Sequence, residues 1–214
     1  MPAQFDLQAD VSTTPTFALR SSQWHNRDMT MGRPKMFRRE DVLEEAIPVF
    51  WAHGFAATRL QDLEAATGVN KSGLYSEFAD KEDLFLESLQ HYAETSSGQN
   101  FLSPEPLGWT NIEDFLKFGY SCAPDRRGCF VISSMRELAF LPEKAFTIIA
   151  KADAAVRSLV LANVLAGRPK GDPELIADMI MTFFRGLCIE QGIKISQPAT
   201  HRKINKFAKL LLTL

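Results

Sequence analysis

The sequence is poor in the residues from which most catalytic and metal centres are built. It holds four histidines and three cysteines in 214 residues. None of His25, His53, His91 or His201 forms an HExxH or comparable pair that could hold a metal. Cys122, Cys129 and Cys188 are odd in number and lack CxxC spacing, which argues against a disulfide framework and suits a reducing compartment. No apolar run approaches the roughly 18 residues of a membrane span, and the N-terminus lacks a signal peptide's apolar middle. A soluble, cytoplasmic chain is therefore expected. Positive charge is not in excess either: the net charge is -2, so any nucleic-acid footprint has to come from local clustering. Strand-like alternation and internal repeats are missing, which leaves an all-α fold. No motif calls for a cofactor.

What is present is ordinary globular material, 45% hydrophobic and 23% charged, enough for a sizeable core. Residues 1–30 mix Gln, Asp, Ser, Thr and Pro without a period and are expected to be a disordered or loosely attached extension. "MGRPKMFRRE" from Met31 reads as a natural chain start.

From Arg39 the pattern changes. Val42, Leu43, Ala46, Ile47, Phe50 and Trp51 recur at helical spacing up to Gly54. Pro48 predicts a bend between Glu44 and Pro48. Thr58 with Gln61 reads as a capping box for a second helix that Gly68 closes. Asn70 can cap a third helix from Lys71 to about Phe78, and Asp80 a fourth whose first turn carries Glu82 and Asp83. Short helices joined by a Gly turn describe a helix-turn-helix. The expected division is residues 31–80 for this unit and 81–214 for a second helical region. Helices there are predicted over 112–122, 129–140, 143–166, 174–191 and 201–214.

The segment "VNKSGLYSEF" supplies little bulk on one side of the third helix. A helix entering a DNA groove needs that, because small residues let its backbone approach phosphates and base edges. Lys71 can reach a phosphate or a guanine edge, Ser72 and Ser76 can donate or accept, Gly73 allows close approach, and Tyr75 can offer its hydroxyl to a phosphate. Leu74 and Phe78 would face inward. Upstream, Arg33, Lys35, Arg38 and Arg39 form a basic arm of the kind that tracks phosphate or enters a minor groove. Thr58 and Arg59 sit at the start of the second helix, where a helix N-terminus and a cation together can anchor a phosphate.

The stretch "GFAATRLQDLEAATGVNKSGLYSEFADKEDLF" closely resembles the helix-turn-helix of TetR/AcrR-type bacterial transcriptional regulators. The resemblance runs from about Gly32 to Phe85 and is carried by Phe50, Gly54, Phe55, Thr58, Leu63, Gly68, Leu74, Tyr75, Phe78 and Lys81, among others. It implies DNA contacts at Thr58, Arg59, Lys71, Ser72, Gly73, Tyr75, Ser76 and Lys81. It also implies a helical C-terminal domain that dimerises and holds a small effector, and hence a repressor released from a palindromic double-stranded operator. Pro48 and Glu77 depart from the family's usual pattern.

For the dimer interface the apolar faces offer Ile176, Met179, Ile180, Phe183, Phe184 and Leu187, with Ile204, Phe207 and Leu211 near the C-terminus. For an effector pocket the available lining is Trp109, Phe115, Phe118, Cys122, Cys129, Ile132, Met135 and Phe146. Ordinary core packing would explain the same residues. Arg136 and Glu137 lie beside them and can orient a polar ligand group or pair with neighbours on the surface. Two alternatives stay open on the residues alone. One is a helical-bundle enzyme acting on a small apolar ligand, although no nucleophile, base and orienting group share an interpretable spacing. The other is a thiol-based redox-sensing regulator, with Cys129 at a helix start after "DRRG".

Overall fold

The computed structural model describes residues 37–121, 128–190 and 197–214. These hold the helices α1 (Arg39–Ala57), α2 (Leu60–Thr67), α3 (Lys71–Glu77), α4 (Lys81–Thr95), α5 (Trp109–Ser121), α6 (Phe130–Ser134), α7 (Glu143–Ala166), α8 (Pro173–Glu190) and α9 (Gln197–Leu211). Two 3-10 segments, Ser97–Phe101 and Met135–Phe140, complete the regular structure. No strand occurs among the described residues. Residues 1–30 and the arm residues Arg33 and Lys35 lie outside them, as do Cys122, Arg126 and Arg127.

Helix α1 buries Val42, Leu43, Ala46, Ile47 and Phe50 on one face. The predicted bend at Glu44–Pro48 is not where the backbone departs from helical geometry. That happens at Gly54, with φ 79° and ψ 167°. Ile47 and Phe50 are buried on either side of Pro48, and their packing carries the helix past the missing N–H. The break falls instead where glycine makes a positive φ inexpensive.

Helix α2 starts one residue later than the Thr58–Gln61 box implied. The Arg59 N–H donates to Asp62 Oδ2 at 2.9 Å, whereas the Thr58 hydroxyl turns back to Gly54 O at 2.6 Å. Asn70 and Asp80 cap α3 and α4 as expected, accepting from the N–H groups of Gly73 and Asp83. The helix predicted over 129–140 is split. It ends at Ser134 and continues as a 3-10 segment in which Glu137 leaves helical geometry at φ -115° and ψ 22°.

Two cores organise the chain. The first gathers α1–α4 and takes in Phe130 and Val131 of α6 and Ala145 and Ile149 of α7. The second joins Ile112, Phe115 and Leu116 of α5 to Val160 and Val164 of α7, the inward face of α8, and Ile204 and Leu211 of α9. The first core is knotted by rings. Phe85 lies 5.2 Å from Phe50, 4.9 Å from Phe55 and 6.0 Å from Phe130, and Phe130 in turn meets Trp51 at 6.0 Å and Tyr92 at 5.7 Å. These edge and tilted contacts add to the burial of the rings.

A buried polar residue fixes the loop between α4 and α5. Asn163 of α7 donates to Leu102 O at 2.8 Å and to Leu159 O at 2.9 Å, and accepts from Gly108 N at 2.9 Å. At the surface, Arg157 of α7 spans Glu174 and Asp178 of α8, and its hydrogen bond holds the Asp178 carboxyl below the usual carboxylate range. No described helix is long and apolar enough to cross a membrane. Asn163→Leu keeps the volume but strands the part-buried Gly108 N–H and the buried Leu102 carbonyl, so it should lower the unfolding free energy by about 2 kcal/mol in urea titrations.

Candidate nucleic-acid interface

The turn between α2 and α3 is built by side chains that consume the local backbone donors. Thr67 Oγ1 donates to Leu63 O at 2.7 Å and accepts from Val69 N at 3.2 Å. Glu64 reaches across the turn to accept from Lys71 N. Leu74 and Phe78 are buried to 1% and 2% exposure and dock α3 onto α1 and α4. The opposite side of α3 is open: Lys71, Ser72, Tyr75 and Ser76 are all exposed, Tyr75 at 42%. The Lys71 ammonium lies 5.8 Å from the Tyr75 ring centroid, which places a cation and a phenol hydroxyl on one face. Arg59 at the head of α2 is exposed as well.

Three residues expected at DNA are placed differently. Thr58 is 2% exposed and its hydroxyl is taken by Gly54 O, so its side chain is a backbone anchor. Lys81 Nζ donates to Phe55 O at 2.9 Å and Thr58 O at 3.1 Å and sits 4.6 Å over the Phe55 ring. Its ammonium therefore closes the end of α1 and is not a free phosphate ligand. Arg39 is also built into the fold. It donates to Glu77 O at 2.5 Å, pairs with Glu87 at 3.4 Å and lies 4.3 Å over the Phe78 ring. It clamps α3 between α1 and α4. Arg38 beside it stays exposed, within 3.9 Å of Glu40 and Asp41.

Gly73 has a reason within the chain to be small. A Cβ there would fall 2.6 Å from Val69 Cγ1 and 3.4 Å from Phe37 Cε1. The missing side chain lets α3 close onto its own turn.

Residues 42–88 match the sequence profile of bacterial regulatory proteins of the tetR family. The chain is 30% identical over 195 residues to the HTH-type transcriptional repressor ComR of Escherichia coli, an alignment spanning 86% of this chain and 91% of that protein. The chain belongs to the TetR family. It is 34% identical over 112 residues to the uncharacterised HTH-type regulator YezE of Bacillus subtilis, spanning 50% of this chain and 58% of that protein. Among solved structures, the TetR-family regulator CifR, as a cysteine mutant complexed with 26-bp operator DNA, superposes with a TM-score of 0.73 at 22% identity, over 83% of this chain and 98% of that one. Reduced E. coli NemR superposes with a TM-score of 0.70 at 20% identity, over 81% and 95%. These likenesses establish the fold, with α1–α3 as the family's helix-turn-helix.

The residues expected to line an effector pocket do not converge. Trp109 donates to Gly167 O at 3.1 Å, Phe115 is core and packs on Phe184 at 4.3 Å, and Phe118 stacks on Phe101 at 4.6 Å. Met135 packs against the first core, and Phe146 is 43% exposed on the outer side of α7. Cys129 and Ile132 line a cavity that measures about 40 Å³. Cys129 caps α6, but burial pushes its thiol above the ordinary range, opposite to what a reactive helix-start cysteine requires.

The proposed dimer residues are mostly interior. Ile176, Ile180, Phe184, Leu187, Ile204 and Leu211 are buried in the second core of a single chain. For these six residues the helical period identified an apolar face that the chain buries against itself. Met179, Phe183 and Phe207 remain half-buried, with Phe183 and Phe207 stacked at 3.9 Å. Exposed Leu175 lies one turn from Met179, Leu210 is exposed on α9, and Leu212 is exposed just past its end.

The two lysines make opposite predictions. Lys71→Ala should leave the melting temperature unchanged and reduce the slope of log affinity against log salt for duplex DNA by about one. Lys81→Met should instead cost about 2 kcal/mol of stability in denaturant titration, through the lost carbonyl and ring contacts.

Proposed function

We propose that this chain is a cytoplasmic transcriptional repressor that binds a palindromic double-stranded operator as a homodimer and is released by a small-molecule effector. The observation that carries the reading is the exposed face of α3. Lys71, Ser72, Tyr75 and Ser76 are presented together while Leu74 and Phe78 hold the opposite face in the core. That is the arrangement with which a recognition helix enters a major groove. The long match to a named repressor supports the direction of regulation.

In this reading residues 31–80 provide the DNA-binding unit and residues 81–214 the effector-binding and dimerising region, with Arg33, Lys35 and Arg38 as the arm toward the phosphates. The outward stripe of Leu175, Met179 and Phe183 on α8, continued by Phe207 and Leu210 on α9, meets its copy across a two-fold axis. Stacked helix pairs from two chains bury such a stripe as a four-helix interface. Two recognition helices then stand about 34–36 Å apart and read successive major grooves. Helix α4 is shared by the first core and by the contacts with α6 and α7, so a shift of α4 changes the spacing of the two α3 helices.

Selection from random duplex DNA should return a palindrome whose half-site centres lie about 10 base pairs apart. Met179→Glu should sediment as a folded monomer and bind that palindrome about a hundredfold more weakly, because one half-site no longer raises the local concentration at the other. Recovery of sequences without two-fold symmetry would sink the dimeric reading.

A further inference from the structure

The helix-turn-helix meets α6 across a pocket lined from both sides. A cavity of about 270 Å³ opens there, floored by Trp51, Phe55 and Phe130 and rimmed by His53, Arg136 and Glu137. It is near the lower end of small-molecule site volumes. The 40 Å³ space beside Cys129 holds no more than a few waters. Glu137 is already committed. Its Oε2 accepts from Ala56 N at 3.2 Å, and its Oε1 occupies the place of a Gly54 side chain, 1.5 Å from where a Cβ would stand. The carboxylate therefore rests on the break in α1, six residues before the start of α2. Arg136, exposed beside it, has no acidic partner among the described residues. His53 adds an imidazole to the same rim.

We infer that this cavity, shared between the helix-turn-helix and the second region and so not confined to residues 81–214, is the effector site, and that it takes a small monocarboxylic acid with a short apolar or single-ring body. The planar guanidinium of Arg136 matches a carboxylate in two parallel hydrogen bonds, and His53 can donate a third. Trp51, Phe55 and Phe130 offer ring faces to a short body within a lining that is otherwise largely polar. The same arrangement supplies the switch. A carboxylate on Arg136 sits next to the Glu137 carboxylate, and two like charges on adjacent residues repel. Glu137 is driven off Gly54 and Ala56, which frees the end of α1 and the head of α2 that position Arg59 and α3. Acid and operator thus bind antagonistically through one side chain, and by linkage each weakens the other equally.

This inference deepens the reading of the chain as an effector-released repressor, and the test separates the two. Benzoate, phenylacetate and hexanoate are the probes, with their uncharged amides as controls. Binding to the full-length protein without DNA is read by calorimetry and by melting temperature. Release is read on the selected operator by anisotropy. At least one acid, and none of the amides, should raise the melting temperature by about 3 °C near tenfold saturation and weaken operator binding about tenfold. Arg136→Gln should lose acid binding. Glu137→Gln should bind the acid as tightly or more tightly, because the repulsion is gone, yet release operator no more than about twofold at saturation. Failure of all three acids to bind, equal binding by an amide, or full release from Glu137→Gln would overturn the inference. If the protein bound no selected DNA, the repressor reading would fail, and the calorimetry would still decide whether this cavity is an acid site.

Discussion

The structure depends on how Phe85 is buried. One ring on α4 is in contact with Phe50 and Phe55 of α1 and with Phe130 of α6, so the helices that hold the recognition helix and the helices of the second region share a single piece of core. Interiors packed at crystalline density do not deform smoothly. Movement on one side of Phe85 has to be answered on the other, which is what a regulator needs from the joint between its two ends.

Around that joint the charged residues act as clamps. Lys81 closes the carbonyl end of α1, Arg39 grips the end of α3 through Glu77 O and the Phe78 ring, and Glu64 closes the start of α3. Each satisfies helix-end groups that would otherwise need water or a partner. The result is a short α3 with little freedom of its own. Lys71, Ser72, Tyr75 and Ser76 can then present a fixed pattern, and less side-chain and helix ordering has to be supplied on binding.

Glu137 stands out against this background. Its carboxylate belongs to the second region, but it lies on the Gly54 break in the first. A glycine at a positive φ with a carboxylate in place of its side chain is a contact that can be undone without disturbing the packed rings. Rigid clamps and one removable contact together make a two-state element out of an otherwise well-packed joint.

Much of this was legible in the residues. Caps such as Asn70 and Asp80 act over three residues, and the inward spacing of Leu74 and Phe78 is a property of one helix, so the sequence by itself determined the all-α class, the helix-turn-helix and the exposed side of α3. The physical reason is that capping and helical period are local. What tertiary structure alone decided is how each side chain is spent. Lys81, Arg39 and Thr58 look like phosphate ligands in the linear text, and only the carbonyls of Phe55, Glu77 and Gly54, up to 38 residues away, show that they are structural. The apolar faces of α8 and α9 read the same whether they pack on a neighbour in the chain or on a copy, because period records that a face is buried and not by what. The meeting of Glu137 with Gly54 spans more than eighty residues and leaves no periodic trace, so it could come only from the folded chain.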